Sequence, residues 1–332
     1  MIRVLVEPSG EAPGLARLEA TSAAAAVGGR ERPTEIAGVI GVDLPDRPSI
    51  ERLAARLALA RRCLVEVDGG ASFGEAVATE GNAGESAVFR RLGRSPGGAD
   101  DGVREAGRRY VGGGGTIDLE RPARRYWIAE ATSGDSHLLR EVAAVDRAQS
   151  SARRMPLLPF QRPVSLPPRL ARAAANLTGL RPGDRVVDPF LGTGALLAEA
   201  ALLGATVYGI DRDPEMVRGA LRNFAHLGVE AARITEGDSG TVDLDGPDLR
   251  FDALLTDPPY GRSSYAGGER PAEVVARVLP RWAERVRDGG RVVVVSPEGS
   301  PVLPDPWAVR NAVSVRVHRS LTREFRVYER AG

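Results

Sequence analysis

Several residue types that support common functional classes are scarce in this chain. Among 332 residues there are one cysteine, three histidines and no lysine, so arginine supplies every basic side chain. The lone Cys63 excludes a disulfide framework and a cysteine-rich zinc site. His137, His226 and His318 are scattered without metal-ligand spacing, so the sequence predicts no metal site.

Excess charge and long apolar runs are also missing. The formal net charge is +1, whereas a chain that binds nucleic acid through its overall field would be far more basic. Any nucleic-acid contact must therefore use local patches. No apolar run approaches the roughly 18 residues of a membrane-spanning helix, and Ile2–Val6 looks like a strand rather than a signal peptide. We expect a soluble, cytoplasmic protein that does not contact membranes.

The pattern along the chain predicts two domains. Residues 1–150 read as α+β, with helices over 15–27 and 50–61 and strands over 2–6, 36–44 and 64–67. Within the glycine-rich residues 69–115 we expect only short ordered pieces. Residues 151–168 hold too many prolines for a regular element and are predicted to be a linker.

Residues 169–332 alternate between strands and helices, which predicts a parallel α/β sheet with helices on both faces. The last two strands, around 313–317 and 324–328, have no helix between them. They are expected to form a hairpin, so one edge of the sheet should be antiparallel.

The first motif of the second domain is a glycine turn after a predicted strand, running Asp188-Pro189-Phe190-Leu191-Gly192-Thr193-Gly194. Ligands of open α/β sheets bind beyond the carboxyl ends of the strands, and Gly192 and Gly194 permit close backbone approach. Position 197 is Leu where a dinucleotide fingerprint has its third glycine. The turn therefore suits a ligand without a pyrophosphate.

Acidic residues follow the next two strands. Asp211, after Gly209-Ile210, can accept hydrogen bonds from both ribose hydroxyls of an adenosine. Asp213 is a suitable N-cap for a helix that begins at Pro214. Asp238, after the third strand, could take the adenine amino group, although a solvated turn explains it equally well. A nicotinamide cofactor would use an acid like Asp211, so this residue alone does not choose the cofactor.

The most specific motif is Asp257-Pro258-Pro259-Tyr260, directly after the strand predicted over 251–256. The prolines fix the backbone, so the Asp257 carboxylate and the Pro258 carbonyl are two acceptors held in place. Tyr260 offers a face on which a base can stack. Two acceptors that hold both N–H groups of an aromatic amine localise its lone pair toward an electrophilic methyl. We therefore predict these four residues to be catalytic.

Together these motifs resemble the amino-methyltransferases that act on adenine N6 or guanine N2. More narrowly, the chain is similar to the THUMP-domain tRNA guanine-N2 methyltransferases of the archaeal type, which modify guanosine 10. Four stretches carry this resemblance: 163–172, the glycine turn, 257–263 and 318–323. Residues 116–122 resemble a strand of the THUMP domain, the RNA-binding module of that family.

The resemblance implies a Rossmann-like, seven-stranded class I methyltransferase domain that uses S-adenosylmethionine, with tRNA as the partner. Whether a small activating protein is also needed is left open. The cofactor would contact Asp188, Pro189, Phe190, Gly192, Thr193, Gly194, Asp211, Asp238 and Ser165. Arg162 is a further candidate beside Ser165, because residues before Leu170 would cover the methionine part.

Arginines are the candidate contacts to RNA phosphates. Arg262 and Arg319 would touch RNA by the same resemblance, and either is equally well explained as a solvated surface residue. Others concentrate in the N-terminal half, interleaved with acids: Arg90, Arg91, Arg94, Arg104, Arg108, Arg109, Arg121, Arg124 and Arg125.

Three alternatives to tRNA methylation remain. One is an amino-methyltransferase of ribosomal RNA or DNA, acting on guanine N2 or adenine N6; a THUMP-like domain and the lack of a helix-turn-helix favour tRNA. Another is a non-catalytic RNA-binding protein on a methyltransferase fold, which the intact 257–260 motif disfavours. A nicotinamide-dependent enzyme is disfavoured by the missing third glycine.

Overall fold

The chain divides into two compact units. The computed structural model describes residues 1–67, 72–81, 84–92, 100–153, 157–162, 165–244, 246, 248–260, 269–300, 303–318 and 321–331. The first unit comprises Met1–Ser9, Val27–Ala55 and Ala60–Val145, and the second comprises Gly10–Ala26, Arg56–Leu59 and Asp146–Gly332.

Strands and helices alternate along most of the chain. Up to residue 152 they are β1 (Ile2–Pro8), α1 (Pro13–Ala26), β2 (Arg30–Arg32), β3 (Ile40–Leu44), α2 (Arg47–Arg56), β4 (Ala60–Glu66), α3 (Phe73–Gly81), β5 (Ser86–Arg91), α4 (Asp101–Gly112), β6 (Thr116–Ile117), β7 (Arg124–Glu130), β8 (Ser136–Ala144) and α5 (Arg147–Ala152). After it they are α6 (Pro168–Leu177), β9 (Arg185–Asp188), α7 (Ala195–Leu202), β10 (Thr206–Asp211), α8 (Pro214–Leu227), β11 (Arg233–Glu236), β12 (Phe251–Thr256), α9 (Pro271–Ala283), β13 (Val286–Pro297), β14 (Trp307–His318) and β15 (Leu321–Arg330).

The second unit contains a seven-stranded sheet in the order β11-β10-β9-β12-β13-β15-β14. Strands β9 to β13 pair in parallel, whereas β15 is antiparallel to both β13 and β14. The predicted Rossmann-like methyltransferase sheet with one antiparallel edge is therefore confirmed. Because successive side chains of a strand point to opposite faces, Val293 joins the hydrophobic cluster of α6 and α7, and Val294 joins that of α9.

Helix α1 packs within the second unit, although the sequence assigned it to the N-terminal domain. Leu15 and Ala16 lie in one hydrophobic cluster with Ala171 of α6. The buried Glu19 accepts hydrogen bonds from the backbone N–H groups of Ala58 and Leu59, both at 2.8 Å, and from Asn176 Nδ2 at 3.0 Å. Burial raises the pKa of Glu19 to about 7, against these hydrogen bonds, which lower it.

The first unit is α+β, as expected, with an eight-stranded sheet in the order β2-β3-β1-β4-β8-β7-β5-β6. It is more regular than the sequence predicted, since α3 and β8 were missed. Glycines obscured α3, which is held by the buried Ala76 and Val77. The predicted strand over 36–44 is shorter, because only Ile40–Leu44 pairs as β3 while Ile36 makes an isolated bridge.

Element ends also differ from expectation. The predicted helix over 50–61 runs from Arg47 to Arg56, and β4 begins at Ala60. In the second unit, the alternation of strands and helices predicts a helix over 271–287, but α9 ends at Ala283 and β13 begins at Val286. Among the described residues, no helix has the length and apolar character needed to cross a membrane.

Candidate functional site

A cavity of about 740 Å³ opens beyond the carboxyl ends of the parallel strands in the second unit. The motifs predicted from sequence come together around it, because these strand ends meet at one edge of the sheet. All predicted catalytic and cofactor-binding residues except Gly194 line this cavity: Ser165, Asp188, Pro189, Phe190, Gly192, Thr193, Asp211, Asp238, Asp257, Pro258, Pro259 and Tyr260.

Gly194 instead shapes the turn from β9 into α7. It caps α7 at φ +79°, and a Cβ here would lie 2.9 Å from Phe224 Cε1. Gly192 has φ +53°, and its amide points at the next strand, donating to Asp211 Oδ2 at 2.7 Å. Two left-handed residues therefore fold the turn tightly enough for its backbone to line the cavity.

Asp211 stands at the end of β10 with its carboxylate held by backbone amides. Oδ2 accepts from Gly192 and Oδ1 accepts from Asp213 N at 3.0 Å. A carboxylate has about four lone-pair sites, so both oxygens can still accept ligand hydroxyls. Burial raises its pKa, against these two hydrogen bonds. Asp213 caps α8 as predicted, accepting from Glu215 N at 2.8 Å.

Asp188 is the most deeply buried acid of the cavity, with 2% of its surface exposed. Its Oδ1 accepts from Thr256 Oγ1 at 2.6 Å and from Phe190 N at 2.9 Å. Burial raises the pKa of Asp188 to about 7, and these hydrogen bonds lower it. The proximity of Asp257 and Asp211 adds to the rise.

Asp257 follows β12 and is held by an arginine from a different strand. Its Oδ2 forms an ion pair with Arg323 Nη1 of β15, and Arg323 Nη2 donates to the Tyr260 hydroxyl at 2.5 Å. The other oxygen, Oδ1, is buried and accepts no hydrogen bond from the described residues. Burial raises the pKa of Asp257 to about 6, whereas Arg323 lowers it.

The segment before α6 forms one wall of the cavity. Ser165 Oγ lies 3.1 Å from Thr193 Oγ1, and Arg162 pairs with Glu215 at 2.5 Å. Asn223 of α8 anchors this segment, because its Oδ1 accepts from Phe160 N and its Nδ2 donates to the carbonyls of Phe160 and Thr193, all at 3.0 Å. The side-chain amide of Asn223 therefore hydrogen-bonds both to this wall and to the glycine turn.

Asp238 also lines the cavity. Its carboxylate accepts from Gly240 N at 2.7 Å and faces Arg277 of α9 at 3.3 Å. The hydrogen bond from Gly240 and the contact with Arg277 lower its pKa. An ionised acceptor is therefore present where the sequence placed the adenine contact.

Four residues of this site escaped the sequence analysis: Thr256, Asn223, Arg277 and Arg323. None belongs to a short motif whose spacing predicts its partner. Arg323 stands in the 318–323 stretch that carries the family resemblance, yet its pairing with Asp257 depends on β15 lying next to β13, which local sequence does not specify.

The candidate arginine contacts to RNA have mixed outcomes. Arg262, Arg319 and Arg94 lie outside the described residues. Arg91 is held by Asp100 and Glu130, and Arg124 by Glu80 and Glu85. Arg104, Arg108 and Arg109 form ion pairs with Asp101 and Glu105 of their own helix, α4. Arg90, Arg121 and Arg125 are exposed on the first unit.

The cavity is suited to an organic cation that carries a ribose. Its volume lies in the usual range of about 300–1,000 Å³ for small-molecule sites, and five aspartates line it. Within the described part of the chain, no group of three or more His, Cys, Asp or Glu side chains is arranged to hold a metal ion.

Known proteins are similar to this region in both sequence and fold. Residues 157–323 match the UPF0020 family, described as an RMKL-like methyltransferase domain. The chain is 35% identical over 220 residues to a tRNA (guanine(10)-N2)-dimethyltransferase of Methanothermobacter thermautotrophicus, covering 64% of this chain and 63% of that protein. It is 38% identical over 175 residues to the protein of the same name from Pyrococcus abyssi, covering 52% of each.

Among solved structures, TrmN from Thermus thermophilus aligns over 99% of both chains with a TM-score of 0.55 at 21% identity, a similarity of fold. The matched part of this chain spans less than two thirds of the two curated relatives. Because the family match covers half of the chain and includes the whole cavity wall from the segment before α6 to Arg323, the chain belongs to the UPF0020 family of RMKL-like methyltransferase domains.

Proposed function

We propose that this protein transfers a methyl group from S-adenosylmethionine to the exocyclic N2 amine of a guanosine in tRNA. The observation that carries the proposal is Asp257 Oδ1, a buried carboxylate oxygen without a hydrogen-bond partner among the described residues, on a rigid Pro-Pro turn that lines the cavity. A buried acceptor left unsatisfied costs about 1–3 kcal/mol. An incoming N–H group would remove that cost.

The cavity provides suitable contacts for each part of the cofactor. Asp211 is placed for the ribose hydroxyls, Asp238 for the adenine amino group, and the backbone of the glycine turn for close packing. Ser165 and Arg162 line the end assigned to the methionine part. The sulfonium is cationic, and the buried carboxylate of Asp188 favours a positive charge nearby, whereas the charge of Asp257 is already compensated by Arg323.

The chemistry requires orientation more than proton transfer. The amine lone pair of guanine is delocalised into the ring, so acceptors on its N–H groups are needed to direct it at the methyl carbon. Asp257 Oδ1 and the Pro258 carbonyl supply them, and Tyr260 supports the base by stacking. The nitrogen attacks the methyl in line, the C–S bond breaks to leave S-adenosylhomocysteine, and the methylated nitrogen then loses a proton.

The proposed substrate class rests on the names of the relatives, since both curated proteins are called tRNA (guanine(10)-N2)-dimethyltransferases. A base inside a helix must be flipped out to reach such a cavity. We assign RNA binding to a THUMP-like domain within residues 1–150, joined by residues 151–168 to a catalytic domain over 169–332. We propose the cytoplasm as the protein's location, because tRNA is the proposed substrate.

A transfer assay with Asp257→Asn tests this function. Labelled cofactor is incubated with an unmodified tRNA transcript, a ribosomal RNA fragment or duplex DNA. The wild-type protein should label tRNA, whereas Asp257→Asn should bind the cofactor within about threefold of wild type and lose at least roughly 10²-fold in turnover, as when a preorganised partner of the transition state is removed. Unchanged turnover in the variant, or label in DNA or ribosomal RNA alone, would contradict the proposal.

A further inference from the structure

Arg323 is a buried cation at the edge of the cavity, with 2% of its side chain exposed. It stands near the start of β15, where it lies opposite Pro297 of β13 on one side and Val315 of β14 on the other. A strand paired on both sides fixes the position of its backbone. The backbone position of Arg323 is therefore fixed, and its side chain can hold the loop that follows β12 in place.

The guanidinium contacts two of the four predicted catalytic residues. Nη1 pairs with Asp257 Oδ2, Nη2 lies 2.5 Å from the Tyr260 hydroxyl, and the guanidinium carbon is 5.1 Å from the centre of the Tyr260 ring. A planar guanidinium presents its donors in a fixed fork, so holding two partners costs it less conformational entropy than it would cost a lysine. One side chain thereby ties the carboxylate to the aromatic ring.

We propose that Arg323 is a positioning residue for methyl transfer, which fixes Asp257 Oδ2 and the Tyr260 hydroxyl together so that Oδ1 faces the amine and the ring keeps its stacking orientation. This inference rests on the proposed function. Arg323 does not contact the methyl group; it acts through Asp257 and Tyr260.

The same contact keeps Asp257 charged. Burial favours the protonated acid, in which one oxygen becomes a donor, and Arg323 opposes this. Asp188 of β9 lies close enough to Asp257 for the two acids to disfavour each other's charge, and Tyr260, which also ionises to an anion, lies on the same loop as Asp257. Without Arg323 the pKa of Asp257 should therefore rise further, and the carboxylate should be lost at a higher pH.

The test compares Arg323→Met and Arg323→Lys with Arg326→Met. Arg326 is also buried on β15, but it pairs with Glu324 and donates to Ser300 O at 2.8 Å, and it does not line the cavity. It therefore controls for the loss of a buried arginine from this strand. Thermal unfolding is measured for each variant, and kcat and KM are measured between pH 5.5 and 9.

Arg323→Met should lower kcat by roughly 10²-fold, the effect of misplaced reacting groups, with the KM for the cofactor changed by less than about threefold. The acid limb of its kcat profile should move to higher pH. Arg323→Lys should restore the position of that limb and only part of kcat, since one ammonium replaces the charge but not the fork. The inference would be overturned if the acid limb of the kcat profile of Arg323→Met lay at the wild-type pH. It would also be overturned if Arg326→Met showed the same loss of kcat and the same shift of the acid limb as Arg323→Met.

A second measurement needs no RNA. The carboxyl carbon of Asp257, identified in ¹³C-aspartate-labelled protein by its absence in Asp257→Asn, is titrated by NMR in wild type and in Arg323→Lys and Arg323→Met. A higher pKa in Arg323→Met supports the contact even if no tRNA is methylated, which would refute the proposed function alone. An unchanged pKa refutes the role of Arg323 whatever the activity. If Arg323→Met does not fold, a Lys variant with wild-type kcat and pKa refutes the bridging role.

Discussion

Three aspartates at the carboxyl edge of the sheet, Asp188, Asp211 and Asp257, all have raised pKa values because burial penalises their charge. This burial of charge is a cost to the folded protein at neutral pH. A bound cation would remove part of it. The cavity is therefore built to favour a positively charged ligand at the expense of its own stability.

Asp188 gives this cost a measurable pH dependence. Its folded pKa of about 7 lies above its ordinary value of 3.8, so its stabilising contribution is complete below about pH 4 and is lost as pH rises through 7. Asn at this position can still accept the hydrogen bonds from Thr256 and Phe190 without a charge. Asp188→Asn should therefore be more stable than wild type at pH 8, by on the order of 4 kcal/mol at most, and the difference should shrink to roughly 1.6 kcal/mol at pH 5.

Urea unfolding at these two pH values checks the prediction. Glu19 titrates in a similar range but is present in both proteins, so it cancels in the difference. The variant should also bind S-adenosylmethionine more weakly than wild type while its affinity for the uncharged thioether product changes less. Parallel stability curves for the two proteins would show that Asp188 does not titrate as described.

At the scale of elements, the cavity depends on the segment before α6 being fastened to α8. The side chain of Asn223 accepts a hydrogen bond from the backbone N–H of Phe160 and donates to the backbone carbonyls of Phe160 and Thr193. The Phe160 ring also packs over Gly219, where a Cβ would come within 2.0 Å of it. This contact explains a glycine inside α8 that no turn requires.

Asn223→Ala should therefore loosen the cavity wall and destabilise the protein. Leaving buried backbone groups unpaired costs about 1–3 kcal/mol each, so we expect a loss of unfolding free energy within that range or above it, together with weaker cofactor binding. His226→Ala, an exposed change on the same helix, is the matched control and should alter neither. Cofactor affinity unchanged in Asn223→Ala would show that the segment does not need this anchor.

The sequence predicted most of the second sheet and the residues that meet at its edge, because glycine turns, Asp caps and the Pro-Pro motif act over a few residues. It did not predict Arg323 or Asn223, whose partners are 66 and 63 positions away. Such contacts depend on strand order and helix packing. The missed α3 and β8 have a related cause, since tertiary burial overrides weak local preference there.

For the whole molecule, the main consequence concerns where the chain can be cut. The domain boundary predicted near residue 150 implies that residues 1–150 could be removed to leave a foldable catalytic domain. The structure argues against this, because α1 and residues 56–59 belong to the second unit and Leu15 and Leu59 are buried in its core. Burial of each of these leucines contributes roughly 1.5–3 kcal/mol to the free energy of unfolding. Removing residues 1–150 would also remove Glu19, which accepts a hydrogen bond from Asn176.

A fragment of residues 146–332 should therefore expose apolar surface, bind a hydrophobic dye and unfold without a cooperative transition. Fusing residues 10–26 to its N-terminus through a flexible linker should restore a cooperative unfolding transition, and a fusion with Leu15→Asp should not. Cooperative unfolding of the bare fragment at the wild-type temperature would contradict this account of α1.

The central claim is that a guanine amine is methylated at Asp257 and Tyr260 of the cavity. Its most direct test is mass spectrometry of nucleosides from unmodified tRNA treated with the protein and a cofactor that carries a deuterated methyl group. We predict label in N2-methylguanosine or N2,N2-dimethylguanosine, formed at least roughly 10²-fold more slowly when Asp257→Asn replaces the wild type. Label only in N6-methyladenosine, or in any nucleoside at equal yield with both proteins, would contradict it.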